Sequence, residues 1–251
     1  AFEDEEARLQ NRASELQVES RSKQDEFASL RREIAGLKAR GSNIDERQIE
    51  LRRTMCGELG IPEKDMPFAG ELIRVREEEK DWEGAIERLL HSFGLSLLVP
   101  EEHYAKVASW VDRTHLKGRL VYYRVRTDVR DDVRGQTEEL HPLSLVRKVQ
   151  IKPESPLYTW LERELVNRFN LACCTDQTSF RRETRAITIH GQIKSPGGRH
   201  EKDDRHGLND RRHFVLGWSN AEKISALERD AVVLAQDIAE LDKDLKGLQA
   251  R

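Results

Sequence analysis

Apolar side chains recur near the C-terminus at Ile224, Leu227, Ala231, Leu234, Ile238, Leu241, Leu245 and Leu248, spaced 3-4-3-4-3-4-3. That alternation holds them on one stripe of a helix, the a/d seam of a coiled coil. Leu9, Ala13, Leu16, Ser20, Lys23, Phe27, Leu30, Ile34 and Leu37 keep the same beat at the other end, weakened at Ser20 and Lys23. Two heptad helices at opposite ends predict an arm that goes out, meets a compact cap and comes back antiparallel to itself. Gly41-Ser42-Asn43 interrupts the first helix, and Ile44, Gln48, Leu51 and Met55 resume the beat beyond it. Ser219 and Glu222 form a capping-box pattern that opens the returning helix. Its length of about 50 Å, at 1.5 Å per residue, matches residues 1–40 and leaves the 44–56 helix to lie against the body. The expected organisation is an outgoing arm helix over 1–56 with a break near 41–43, a globular domain over 57–218, and a returning arm helix over 219–251.

Between the arms the pattern alternates in type. Leu72 to Arg76 alternates as a strand does, and Trp82, Ile86, Leu89, Leu90 and Phe93 mark an amphipathic helix stopped by Gly94. Leu95 to Val99 reads as a short buried strand, and Pro100 opens a helix with Tyr104, Val107, Ala108 and Val111 inward. Leu120 to Val125 is rich in β-branched and aromatic residues and is the clearest strand. Residues 126–142 read as a charged loop and Leu145 to Ile151 as a strand. Pro156 opens a helix through Trp160, Leu161, Leu165, Val166 and Phe169. Ala172 to Thr175, Ala186 to Ile189 and Phe214 to Leu216 read as strands, with a polar loop over Gly191 to Asp210. The predicted fold class is α+β, a mixed α/β globular domain capping an antiparallel two-helix coiled coil.

Composition changes this picture only in places. A charged fraction of 35 % and a mean hydropathy of −0.74 are too polar for one large globule of 251 residues, and solvated arms account for the excess. Cys56 and the adjacent Cys173 and Cys174 form no spaced disulfide framework, which points to reduced thiols in a cytosolic protein. No apolar run approaches the roughly 18–20 residues needed to span a bilayer, and no signal peptide is present, so no membrane partner is expected. The chain starts without Met inside a helical pattern and reads as a piece of a longer protein.

The candidate chemistry is sparse. No G-x-x-x-x-G-K-[ST] loop exists to wrap phosphates, and Ser195-Pro196-Gly197-Gly198-Arg199 fits a flexible turn better than a nucleotide signature. His190, His200, His206 and His213 stand among Glu201, Asp203, Asp204 and Asp210, a set from which a metal-dependent nuclease could be built. His200-Glu201-Lys202-Asp203-Asp204 is not H-E-x-x-H, and a solvated charged loop is the simpler reading. Arg181, Arg182, Arg185, Lys194, Arg199, Lys202, Arg205, Arg211 and Arg212 outnumber the five acids among them, Glu183, Glu201, Asp203, Asp204 and Asp210. Long cations beside Gly197-Gly198 suit non-specific contact with double-stranded DNA. Internal Arg–Asp pairing is the alternative. Leu120 to Val125 is also an edge through which a second copy could pair. A third reading is a coiled-coil scaffold whose body binds a partner protein.

Several blocks then carry a resemblance. They are Phe68-Ala69-Gly70-Glu71-Leu72-Ile73, Asp81 to Leu90, Phe93 to Pro100, Gly118 to Val125, Gly198 to Arg205 and Val215 to Asn220. In this order they resemble the middle segment of the SMC-like ATPases of the MukB/MksB/JetC group, the last belonging to Wadjet plasmid-defence systems. The resemblance covers most of residues 57–225 and implies a homodimerising hinge within a bacterial, cytoplasmic, nucleoid-associated complex. It implies ATP and Mg at distant heads, which this piece lacks, and kleisin and winged-helix partner subunits. It implies DNA loop extrusion in plasmid defence or chromosome organisation. No catalytic, cofactor-binding or metal residue carries over, and the DNA-contact residues above rest on charge alone.

Overall fold

The structure is a computed structural model describing residues 2–126 and 139–249. Most of the loop expected over 126–142 lies outside the described residues. In chain order the elements are α1 (Phe2–Arg40), α2 (Glu46–Leu59), β1 (Ile73–Val75), α3 (Glu83–Gly94), β2 (Leu97–Pro100), α4 (Glu101–Arg113), β3 (Tyr122–Val125), β4 (Val149–Ile151), α5 (Tyr158–Phe169), β5 (Ala172–Cys174), α6 (Gln177–Arg182), β6 (Ala186–Thr188), β7 (Ile193–Ser195), β8 (Arg199–Glu201) and α7 (Ala221–Gln249). The fold class is mixed α and β, and the chain divides into two compact units: residues 1–41 with 221–251, and residues 42–220.

The first unit is α1 paired with α7. Ser20 reaches Asp242, Lys23 reaches Asp237 and Lys38 reaches Glu228, so one helix rises in number as the other falls and the pair is antiparallel. Leu30, Ile34 and Leu37 bury against Leu227 and Ala231, flanked by Phe27 and Ile224. Each such leucine contributes about 1.5–3 kcal/mol by leaving water. Leu16 is also buried, while Leu9, Leu234, Ile238, Leu241, Leu245 and Leu248 are half-buried. The two off-pattern positions are therefore matched across the seam. The Ser20 hydroxyl donates to Asp242 Oδ1 at 2.9 Å, and Lys23 Nζ to Asp237 Oδ2 at 2.8 Å. Glu33 draws in two cations, Arg40 at 2.7 Å and Lys223 at 3.8 Å.

In the second unit α2 takes its start from Asp45, whose side chain accepts the Gln48 N–H, and stops at Gly60, which adopts φ +66°. The left-handed conformation suits glycine and closes the last turn. Residues 42–56, read as the end of the outgoing segment with the 44–56 helix left to lie against the body, group with the second unit. Ile44, Ile49, Met55 and Cys56 join that unit's core, so the resumed heptad beat is a helix face turned toward another partner. The same core takes in Phe68, Ile73, Ile86, Leu90, Leu97, Leu98, Trp110, Leu145, Leu161 and Leu165. Trp110 satisfies its ring N–H on Glu58 at 2.6 Å.

Three small sheets line this core among the described residues: β1 antiparallel to β4, β2 parallel to β3, and the order β5-β6-β7-β8. Two sequence expectations are corrected here. The polar stretch 191–210 contains the hairpin β7–β8, hidden because β7 is only half-buried and β8 fully exposed. Phe214 to Leu216 is buried but is not a strand. The N–H groups of Val215 and Leu216 donate to the Glu87 carboxylate at 2.9 and 3.1 Å, and Gly217 N–H donates to Gly70 O. Gly70 permits that approach, since a Cβ there would stand 2.6 Å from Val215 O. A short helix, α6, that the apolar pattern does not announce begins where Asp176 accepts the Ser179 N–H at 2.8 Å.

Candidate functional site

Association and anion binding are the chemistries the sequence raised, and each has a place in the 42–220 unit. The four-stranded sheet ends in β8, whose three residues are all exposed. Its hairpin turns through Gly197 and Gly198 at φ +79° and +76°, values that residues with a Cβ rarely adopt. At the other edge, β5 is covered by a bridge from Ser144 to Ala172 and by Cys173 N–H donating to Leu143 O. In the two-stranded sheet, β2 is covered on its outer side by the Phe68–Leu97 bridge, and Leu98 N–H donates to Pro67 O. The outer edges of β3 and β8 thus have no ladder partner among the described residues, and neither do those of β1 and β4 in the remaining two-stranded sheet. Open edges of this kind template pairing with another chain.

Nine cations were expected to make a DNA-contact patch, and seven hold acceptors inside the protein. Arg199 pairs with Glu201 at 2.6 Å, Lys202 with Asp204 at 2.8 Å, Arg211 with Glu83 at 2.8 Å and Arg212 with Asp210 at 2.7 Å. Arg205 grips Asp203 with both Nε and Nη2. Lys194 donates to the Arg181 carbonyl at 2.9 Å and Arg185 to the Arg168 carbonyl at 2.6 Å. Arg181 and Arg182, at the end of α6, remain exposed without a side-chain hydrogen bond or ion pair among the described residues. The Arg205 guanidinium holds the Asp203 carboxyl well below the usual carboxylate range. Burial raises Asp210, but the bonds from Arg212 outweigh it and leave a net lowering.

The histidine-and-acid set does not converge on a common point. No group of three or more His, Cys, Asp or Glu side chains among the described residues is arranged to hold a metal ion. His206 and His213 instead stack on each other at 3.8 Å between ring centres. His213 is pushed below the ordinary imidazole value, by burial first and by His206 second. Asp204, the acid in the place of a second metal-ligating histidine, is taken by Lys202 and Arg88.

The cysteines are free and buried. Burial pushes Cys173 up to about 12 and Cys56 up to about 11, and it raises Cys174 as well. The thiolate is the nucleophile, so thiol reagents near neutral pH are expected to label the folded chain at least about a hundredfold more slowly than the urea-unfolded chain. Equal labelling rates in the two states would show these thiols to be accessible.

Among the described residues no helix is long and apolar enough to cross a membrane. No family model matches the chain, and no curated protein matches it. Solved structures do. The structure titled folded elbow of cohesin matches with a TM-score of 0.51 at 13 % identity, over 99 % of this chain and 36 % of that one. An asymmetric dimer of the Geobacillus stearothermophilus SMC hinge domain matches with a TM-score of 0.50 at 16 % identity, over 97 % of this chain and 96 % of that one. The chain spans about a third of the cohesin chain and nearly the whole of the Geobacillus one. At these identities the likeness is one of fold: helices at both chain ends and a mixed α/β unit between them in sequence.

Proposed function

We propose that this chain is an SMC-type hinge with the adjoining stretch of its arm, from the MukB/MksB/JetC group, and that it joins two copies of a longer protein. The observation that carries the reading is the pairing of α1 with α7. The helices that precede and follow the 42–220 unit in sequence are each other's partners, and that unit carries strand edges with no ladder partner among the described residues. The fold likeness to the Geobacillus hinge dimer supports it. In this reading the parent protein carries ATP and Mg at distant heads and works with kleisin and winged-helix subunits. It acts on double-stranded DNA in the bacterial cytoplasm, in plasmid defence or chromosome organisation. No catalytic step is assigned to this chain.

Multi-angle light scattering is expected to give twice the chain mass of 29.1 kDa at micromolar concentration. A monomer mass throughout that range would sink the reading.

A further inference from the structure

We propose that the phosphodiester-binding surface of this chain is the end of α4 and the exposed loop after it, made of Arg113, Lys117 and Arg119 together with Arg47 from α2. The proposal rests on the reading that the parent acts on DNA, and it moves the contact away from the 181–212 run. Between Arg113 and Arg126 the sequence holds five Arg or Lys and no Asp or Glu. Arg124 and Arg126 are committed to Glu101. Arg47, Arg113, Lys117 and Arg119 are exposed, and their side chains make no hydrogen bond or ion pair among the described residues. The nearest acids in sequence, Glu46 and Asp112, pair with none of them. A phosphate arriving here displaces no carboxylate, whereas at Arg199, Lys202, Arg205, Arg211 or Arg212 it would have to break a pair first.

The loop is also built to a fixed shape. Leu116 and Leu120 pack on the core at either side of it, and Gln48 Nε2 donates to the Arg119 carbonyl at 3.1 Å. The Arg47 guanidinium lies so close over Gly118 that a Cβ there would stand 2.5 Å from Nη2. Lys117 sits at φ +51°, the one left-handed non-glycine residue described. Strain of that kind persists where the surroundings impose it and clusters at functional sites. Lys117, Gly118 and Arg119 are all exposed, with no exposed large apolar residue among them. Protein partners are anchored by side chains seated in packed, desolvated pockets, while a chain of repeated phosphates needs only long cations on accessible backbone.

The test is fluorescence anisotropy with a labelled random-sequence DNA duplex across a salt series. Arg47→Ala, Arg113→Ala, Lys117→Ala and Arg119→Ala combined are expected to weaken binding at least about tenfold at low salt. The slope of log K against log salt should fall by about 3–4. Arg181→Ala with Arg182→Ala is expected to change affinity by no more than about twofold. Loss of binding in the second variant with retention in the first overturns the proposal, as does a wild-type chain that binds no duplex. Displacement of the duplex by polyglutamate as effectively as by unlabelled duplex also overturns it, since the ligand would then be a carboxylate polymer. If the combined variant does not fold, Lys117→Ala with Arg119→Ala carries the same test with a slope change of about 2. Light scattering on the same samples reads the hinge proposal separately, because none of these residues lies on β3 or β8.

Discussion

Arg52→Ala is expected to destabilise the 42–220 unit by about 3–5 kcal/mol, the cost of breaking a largely buried ion pair from one side. Arg52 on α2 donates to both Glu71 carboxylate oxygens, at 2.6 and 3.2 Å, and lies 5.0 Å over the Phe68 ring. Its Nε makes only a long 3.5 Å contact, to Glu63. Glu71 also accepts from the Ser42 hydroxyl at 2.8 Å and the Phe68 N–H at 2.9 Å, so one carboxylate ties three chain segments together. All four tryptophans fall within 42–220, so urea unfolding followed by their fluorescence reports this unit. Glu71→Ala should cost a similar amount, and the double variant should cost less than the sum by about 1–3 kcal/mol. Strict additivity would show that the two side chains are energetically independent.

Glu87→Ala is expected to cost about 3 kcal/mol or more, because two buried backbone donors lose their acceptor together. Val215 and Leu216 have no ladder partner among the described residues; Glu87, reaching from α3, takes the role a neighbouring strand plays elsewhere. Glu87→Gln keeps a carbonyl acceptor and should cost about 1–2 kcal/mol. Hydrogen exchange gives the local signature: the amides of Val215 and Leu216 should lose protection in Glu87→Ala before the rest of the unit does. Protection retained at both amides would mean that other contacts hold this segment.

What the sequence makes legible follows from how local the determining interaction is. The seam of α1 and α7 shows because a 3-4 spacing depends only on a helix's own turn. β2 and β3 show because a wholly buried or aromatic-rich run marks itself. Phe214 to Leu216 has the apolar content of a strand, yet the Val215 and Leu216 N–H groups go to a carboxylate far away in sequence, which no local pattern encodes. The β7–β8 hairpin is masked for the opposite reason, since its strands carry polar, exposed side chains. For α2 the heptad beat states only that the helix has an apolar face, and its length beyond the returning helix is what sets it against the body.

The basic run is a case where a local signal was present. Arg199–Glu201, Lys202–Asp204, Arg205–Asp203 and Arg212–Asp210 are all two residues apart. For Arg199 and Glu201, in β8, that spacing puts both side chains on one face, while Asp210 and Arg212 meet at the start of a short 3-10 turn. Alternate residues of opposite sign therefore favour self-neutralisation without guaranteeing it, since Asp45 and Arg47 share the spacing and do not pair; Arg113, Lys117 and Arg119 have no acid at that spacing.

The polar steps in the helix pair have an unequal say in alignment. Aspartates recur at 230, 237 and 244, one per heptad, so a slide of about 10 Å would hand Lys23 from one carboxylate to the next. Ser20 is less evenly supplied: seven residues before Asp242 stands Ala235, which accepts nothing, and seven after it Gln249, a residue type whose amide oxygen can accept. The ammonium tolerates three settings of one rod against the other, and the small hydroxyl disfavours the one that faces it with Ala235.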